Sequence, residues 1–236
     1  MIVGILKEIK AEENRVSMTP AGVEIMIQDG HTVLVEKSAG KGSGFTDAAY
    51  VKAGADIIDT HQELFDRAKM IMHVKEPLPP EFELIRDDHI IFTYLHLASN
   101  QDLTQALLDR GSVNIAYETI QKTDGSLPLL TPMSEVAGRM AIQQGAKYLE
   151  MYQGGHGILL GGVPGVDPGK VVIIGGGVVG TNAAKMACGL GAKVYLLDQN
   201  LERLRYLSDI MPRNCFPLVS SPANIRDLIP CADVVV

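Results

Sequence analysis

The chain has 236 residues, 46% of them hydrophobic, which suffices for one large core or two ordinary ones. A formal net charge of −7 and a pI near 5.4 supply no basic field for a phosphate backbone, so nucleic acid is excluded as an expected partner. The most apolar stretch, 171–184, is too short and glycine-rich to span a bilayer, and charge arrives at Lys7 before a signal- or transit-peptide pattern can form. A cytoplasmic protein without membrane contact is the expectation.

In chain order, 2–6, 32–36, 70–75, 90–96 and 113–117 read as apolar strands of the length found in buried sheets. Helical stretches lie between them at 20–29, 62–68 and 100–110, the first and last stopped by Gly30 and Gly111. Such alternation predicts an α/β fold with a parallel sheet covered by helices on both faces. The polar loop 121–128 is the best candidate boundary, and Thr131-Pro132 is expected to cap and begin a helix running to about 152. The glycine-dense segment 154–169 then leads into a second alternating unit. The cysteines Cys188, Cys215 and Cys231 lack the close spacing of a zinc or dithiol motif, so they are expected to be small packing residues, and no metal site is expected.

The second unit begins with a short apolar strand, 170–174, that runs into Gly175-Gly-Gly177-Val-Val-Gly180 and then a helix expected over 181–190. This is the G-x-G-x-x-G arrangement in its full context. Gly175 permits the tight turn, Gly177 admits a pyrophosphate close to the backbone, and Gly180 lets helix and strand pack closely, while Val178 and Val179 complete the cofactor-binding turn. The next strand, 194–197, ends in Asp198, whose carboxylate can accept from the adenosine ribose hydroxyls and repel the extra phosphate of NADP. NAD is therefore the expected cofactor, although Arg203 and Arg205 lie close enough in sequence to accommodate a 2′-phosphate.

Ligands of open parallel sheets sit beyond the carboxyl ends of the strands, which in the first unit carry Lys7-Glu8, Glu36-Lys37, Lys75-Glu76, His96 and Glu118. Lys75 and His96 are the informative pair: a lysine there can hold a carboxylate or carbonyl oxygen, and a histidine can exchange a proton near neutral pH. Arg15, on the loop after the first strand, could clamp a small carboxylate or could equally be a surface charge. His31, His61, His73 and His89 read as structural.

Taken together, Gly4-Ile-Leu-Lys-Glu8, Asn14-Arg15-Val16-Ser-Met-Thr19-Pro20, His73-Val-Lys75-Glu-Pro77, Tyr94-Leu-His96-Leu-Ala98 and the segment 173–184 resemble the alanine dehydrogenases, which share ancestry with the NAD-binding subunit of the proton-translocating nicotinamide nucleotide transhydrogenases. The resemblance covers the whole chain. It implies two Rossmann-like doubly wound parallel-sheet domains joined by a long helix: a substrate-binding domain over 1–129, the linking helix over 130–153, and over 154–236 the first half of an NAD-binding domain, hence incomplete. It also implies NAD-dependent oxidative deamination of L-alanine to pyruvate and ammonia, the reverse amination, and a homohexamer. By matching motif positions, Arg15 and Lys75 would bind the substrate, His96 would be the general acid/base, and Ser134, Asp198, Arg203 and Ser220 would contact NAD.

Two departures from the family pattern stand out. Glu12 replaces a different polar residue, and the chain stops at a strand-like 234–236 where the family continues through a catalytic aspartate. In the strand order 3-2-1-4 that last segment is expected beside 171–174. The alternatives are the transhydrogenase subunit, which has no comparable need for His96, and an inactive NAD-binding fragment.

Overall fold

In the computed structural model, which describes residues 1–236, the first of two units (Met1–Leu129) runs β1 (Ile2–Ile5), α1 (Pro20–Gln28), β2 (Thr32–Glu36), α2 (Asp47–Lys52), β3 (Asp56–Ile58), α3 (His61–Arg67), β4 (Met70–Met72), α4 (Pro79–Phe82), β5 (Ile90–Thr93), α5 (Gln101–Arg110) and β6 (Val113–Ala116). The strands form one parallel sheet in the order β3-β2-β1-β4-β5-β6, the doubly wound arrangement expected from the alternation. Side-chain alternation divides the core. Ile5, Val33 and Val35 join Val23 and Tyr50 on one face, whereas Leu6, Leu34, Ile71 and Ile91 join Leu64, Phe65 and Leu103 on the other. Thr19, Thr46, Thr60 and Asn100 cap α1, α2, α3 and α5 through their side chains, each accepting a backbone N–H of the first turn.

The second unit (Leu130–Val236) runs α6 (Thr131–Tyr148), β7 (Lys170–Ile174), α7 (Val178–Gly189), β8 (Lys193–Asp198), α8 (Leu201–Ile210), β9 (Cys215–Val219), α9 (Pro222–Leu228) and β10 (Val234–Val235). Its sheet has the order β10-β7-β8-β9, all parallel, so the last strand lies beside β7 as expected. Alanines 183, 184 and 187 of α7 pack on Val171, Ile173, Val194 and Leu196. A methyl group on Gly138 of α6 would stand 2.2 Å from the Val179 carbonyl oxygen, so the two helices meet backbone to backbone. Arg139 donates across the same crossing to Asn182 (3.2 Å).

Several sequence expectations need correction. Strands β4 and β5 stop at Met72 and Thr93, short of Lys75 and His96, because carboxylates take over the backbone amides beyond those points. Leu130, not Thr131, holds the cap position of α6, which ends at Tyr148, short of 152. Helix α7 begins at Val178, three residues before the expected 181, since Gly177 serves as its cap and accepts from Thr181 N–H (2.9 Å). Cys188 and Cys215 are buried in the same core, where their proximity raises the Cys215 thiol and lowers Cys188, whereas Cys231 is exposed and is no packing residue.

Candidate functional site

Two regions carry polar chemistry at the carboxyl ends of the strands, one in each unit. In the first unit the chain passes the end of β4 into 73–76, where Glu8 Oε1 accepts from Val74 N–H (2.6 Å) and Lys75 N–H (3.4 Å). Thr93 Oγ1 donates to the Lys75 carbonyl (2.8 Å), so the peptide of Lys75 is held on both sides. Beyond β5, Glu118 performs the same task for Leu95 N–H (3.0 Å) and His96 N–H (2.7 Å). The two carboxylates replace the acceptors that a continuing sheet would have offered, which a buried amide requires.

His96 sits in the left-handed region, at φ 50 and ψ 35, a conformation costly for a residue with a Cβ and kept here by Glu118 at its amide. Its Nδ1 lies 3.1 Å from Glu76 Oε2, whose other oxygen accepts from Lys10 Nζ (2.6 Å). Burial pushes the Glu76 carboxyl up, but the hydrogen bonds from Lys10 and His96 outweigh it and leave it below the usual range. Glu76 can accept a hydrogen bond from an Nδ1–H of the ring, and Nε2 is then the nitrogen left for another partner. The Tyr94 ring stacks on His96 at 6.0 Å and donates its hydroxyl to the Leu129 carbonyl (2.6 Å).

Arg15 is no loose surface charge. Glu13 receives its Nε–H (2.8 Å), Nη2–H (2.5 Å) and backbone N–H (2.9 Å), and the Arg15 hydrogen bond pulls the Glu13 carboxyl down to about 2. The Lys75 charge contributes to the same depression. A cleft of about 380 Å³ is lined by Lys7, Glu8, Glu13, Arg15 and Lys41, and another of about 500 Å³ by Leu95, His96, Ser99 and Glu118. Several cations and an imidazole held by a carboxylate thus lie at one end of the sheet. Glu8, Glu13, Glu76 and Glu118, which hold these groups, were visible from sequence only as acidic residues at strand exits or in a loop.

In the second unit the three glycines have separable tasks. Gly175 has φ 107, a value open only to glycine at low cost, and a methyl group on Gly180 would fall 1.8 Å from the Gly175 carbonyl oxygen. Gly177 is different, since a methyl group there would meet nothing within 4 Å. The space it leaves belongs to a cleft of about 260 Å³ lined by Gly175, Gly177, Val178, Val179 and Gly180, at the positive end of α7.

Asp198 Oδ2 accepts from Gly176 N–H (2.7 Å) and Oδ1 from Asn200 N–H (2.8 Å). The Asn200 and Gly176 amides hold its carboxyl below the usual range. Arg203 donates Nε–H to the Gly176 carbonyl (2.7 Å) and Nη2–H to Thr181 Oγ1 (2.9 Å), so it braces the turn. Arg205 pairs instead with Glu202. Ser220 follows β9 and donates its backbone N–H to the Asp198 carbonyl (2.9 Å), which brings these two residues together at neighbouring strand ends. Ser134 lies one turn before Gly138 on α6, on the face that meets α7.

No cluster of metal-ligating side chains exists, and no helix is long and apolar enough to cross a membrane. Comparison with known proteins matches residues 4–137 to the model of the alanine dehydrogenase/PNT N-terminal domain and residues 141–236 to that of the C-terminal domain. An alanine dehydrogenase of Methanococcus maripaludis is 58% identical over all 236 residues, which span 63% of that relative's length. Among solved structures, an L-alanine dehydrogenase superposes with a TM-score of 0.94 at 51% identity, covering all of this chain and 65% of the other. A transhydrogenase from Sinorhizobium meliloti superposes with a TM-score of 0.82 at 25% identity, covering all of this chain and 68% of that one.

Proposed function

Since the chain belongs to the alanine dehydrogenase/PNT family, we propose that its protein oxidatively deaminates L-alanine to pyruvate and ammonia with NAD, and runs the reverse amination. The observation that carries this reading is His96, held by Glu76, at the same end of the sheet as the cations Arg15 and Lys75. A hydride donor without an amino-acid substrate, the role of the transhydrogenase subunit, has no use for that combination.

Arg15 binds the substrate carboxylate, with Glu13 fixing the plane of its guanidinium, and Lys75 binds the carbonyl oxygen of pyruvate. His96 Nε2 moves a proton at the hydroxyl of the carbinolamine that separates imine from ketone. Gly175, Gly177, Val178, Val179 and Gly180 would hold the pyrophosphate of NAD, Asp198 the adenosine ribose, and Ser134, Arg203 and Ser220 the remainder of that half. Bound there, NAD supplies the hydride acceptor. Preference for NAD over NADP is supported by the ionised Asp198, which repels a 2′-phosphate, and by the commitment of Arg203 to the turn. A cytoplasmic homohexamer is part of the proposal and rests on family resemblance.

The test is to mix the protein with L-alanine and NAD at alkaline pH and follow NADH absorbance. Turnover that falls by about a thousandfold in His96→Ala supports the reading. Equal turnover in that variant, or hydride transfer only to a partner protein, overturns it.

A further inference from the structure

Beneath the Lys75 segment lies a buried row of carboxylates and imidazoles that the proposed chemistry does not use. Glu36 at the end of β2 faces His61 Nδ1 (2.7 Å), and His61 Nε2 faces Glu81 of α4 (2.8 Å). Glu81 Oε1 lies 3.3 Å from His73 Nε2, and His73 Nδ1 lies 3.6 Å from Glu8 Oε1. That last oxygen is the one that accepts the Val74 and Lys75 amides. The row therefore runs from the end of β2 to the backbone of a substrate residue.

His73 is its anomalous member. The side chain is 2% exposed, yet neither ring nitrogen makes a hydrogen bond, although a carboxylate stands opposite each. Burying two unpartnered imidazole nitrogens costs free energy, and a residue kept for packing alone would be replaced by an apolar one without loss. With Glu81 Oε1 at 3.3 Å from Nε2 and Glu8 Oε1 at 3.6 Å from Nδ1, the His73 ring is the group that stands between the two carboxylates. The Glu8 side chain is itself only 4% exposed, so the ring and the two amides that Glu8 accepts are what face its carboxylate in place of water.

We propose that His73 is a positioning residue for the substrate pocket, holding Glu8 against the Val74 and Lys75 amides and thereby setting where the Lys75 ammonium meets an oxo acid. The proposal rests on the substrate-binding role given to Lys75. With His73 removed, Glu8 loses the ring that faces it on the buried side and its grip on the two amides loosens. The ammonium then samples more positions, which weakens binding of pyruvate and leaves the cofactor site of the second unit untouched.

The experiment measures reductive amination by the protein carrying His73→Leu, His73→Gln, Glu8→Gln and the double variant His73→Leu with Glu8→Gln. The expected result for His73→Leu is a KM for pyruvate raised about tenfold, with kcat and the KM for NADH within about twofold. In the Glu8→Gln background, where the carboxylate that faces His73 is gone, His73→Leu adds less than about twofold, so the two effects are coupled. Amide hydrogen exchange at Val74 and Lys75 accelerates in His73→Leu; if that variant does not fold, His73→Gln is read in its place.

An unchanged KM for pyruvate with unchanged exchange overturns the proposal. So do effects that multiply independently in the double variant, or a parallel rise in the KM for NADH. Lys75→Ala separates this failure from that of the underlying reading. If Lys75→Ala leaves pyruvate binding intact, the pocket assignment falls and this proposal with it. If Lys75→Ala abolishes binding while His73→Leu changes nothing, only the role of His73 falls.

Discussion

In the first unit the chain leaves its strands at Met72 and Thr93, and carboxylates from segments 66 and 22 residues away take up the amides that follow. In the second, the chain leaves β7 at Ile174 and turns through Gly175 and Gly180, with neighbouring residues supplying most of the constraint. Asp198 and Arg203 brace that turn, but its path is already set by a backbone only glycine adopts cheaply. One site is thus held by side-chain charge gathered from several elements, the other by local backbone geometry. The first kind responds to charge and pH, whereas the second responds to volume.

The sharpest test of this contrast is a pair of valines in the turn. Gly180→Val forces a Cβ to within 1.8 Å of the Gly175 carbonyl oxygen, so the turn opens, stability falls by about 3 kcal/mol and dinucleotide binding is lost. The Cβ of Gly177→Val has nothing within 4 Å, so the melting temperature stays within about 1 °C while affinity for NADH falls at least a hundredfold. Fluorescence titration with NADH and thermal melts measure both. Equal affinity in Gly177→Val and the unchanged protein would mean that the pyrophosphate lies elsewhere.

Next in size is the carboxylate clamp at His96. Glu118→Ala orphans two amides and costs about 2 kcal/mol in urea unfolding, while Glu118→Gln keeps an acceptor oxygen and recovers more than half of it. Identical losses in the two variants would show that the 94–96 segment is shaped by something other than the acceptor.

The buried row makes the first unit sensitive to alkali. Burial lowers the His61 pKa, but the hydrogen bonds to Glu36 and Glu81 outweigh it and raise it to about 9. Since the folded value exceeds the unfolded one, the stabilisation is fully present below about pH 6.5 and is lost as pH rises through about 9, an effect of about 3 kcal/mol. Denaturant unfolding at pH 7 and pH 10 should differ by that amount more in the unchanged protein than in His61→Gln.

The smallest effect is expected at Glu13, whose pKa is depressed to about 2 by Arg15. Its contribution is present above about pH 4.5 and fades as pH falls through about 2. Because Arg15 is partly exposed, Glu13→Gln should cost less than about 1 kcal/mol at pH 7, yet raise the KM for pyruvate by loosening the guanidinium. A loss of kcat without a change in KM would argue against Glu13 as the residue that sets the Arg15 plane.

Local information was enough for the turn. A strand, three glycines, a helix and a strand ending in Asp198 occur within 170–198, and each constraint acts between near neighbours, so their order in the chain states the geometry. Periodicity and length likewise exposed five of the six strands of the first sheet. It failed for β3, a three-residue edge strand, and for α2 and α4, which are too short to display a period.

What the tertiary structure alone decided is how Lys75 and His96 are held. Both stand beyond their strands because Glu8 and Glu118 arrive from elsewhere in the sheet to accept their amides. The same is true of His73, which reads in sequence as an ordinary buried strand residue and becomes the link between two carboxylates only when β1, β4 and α4 assemble. Contacts within a few residues are written in the order of the chain. Charge balance among residues far apart in the chain exists only once the fold has removed them from water.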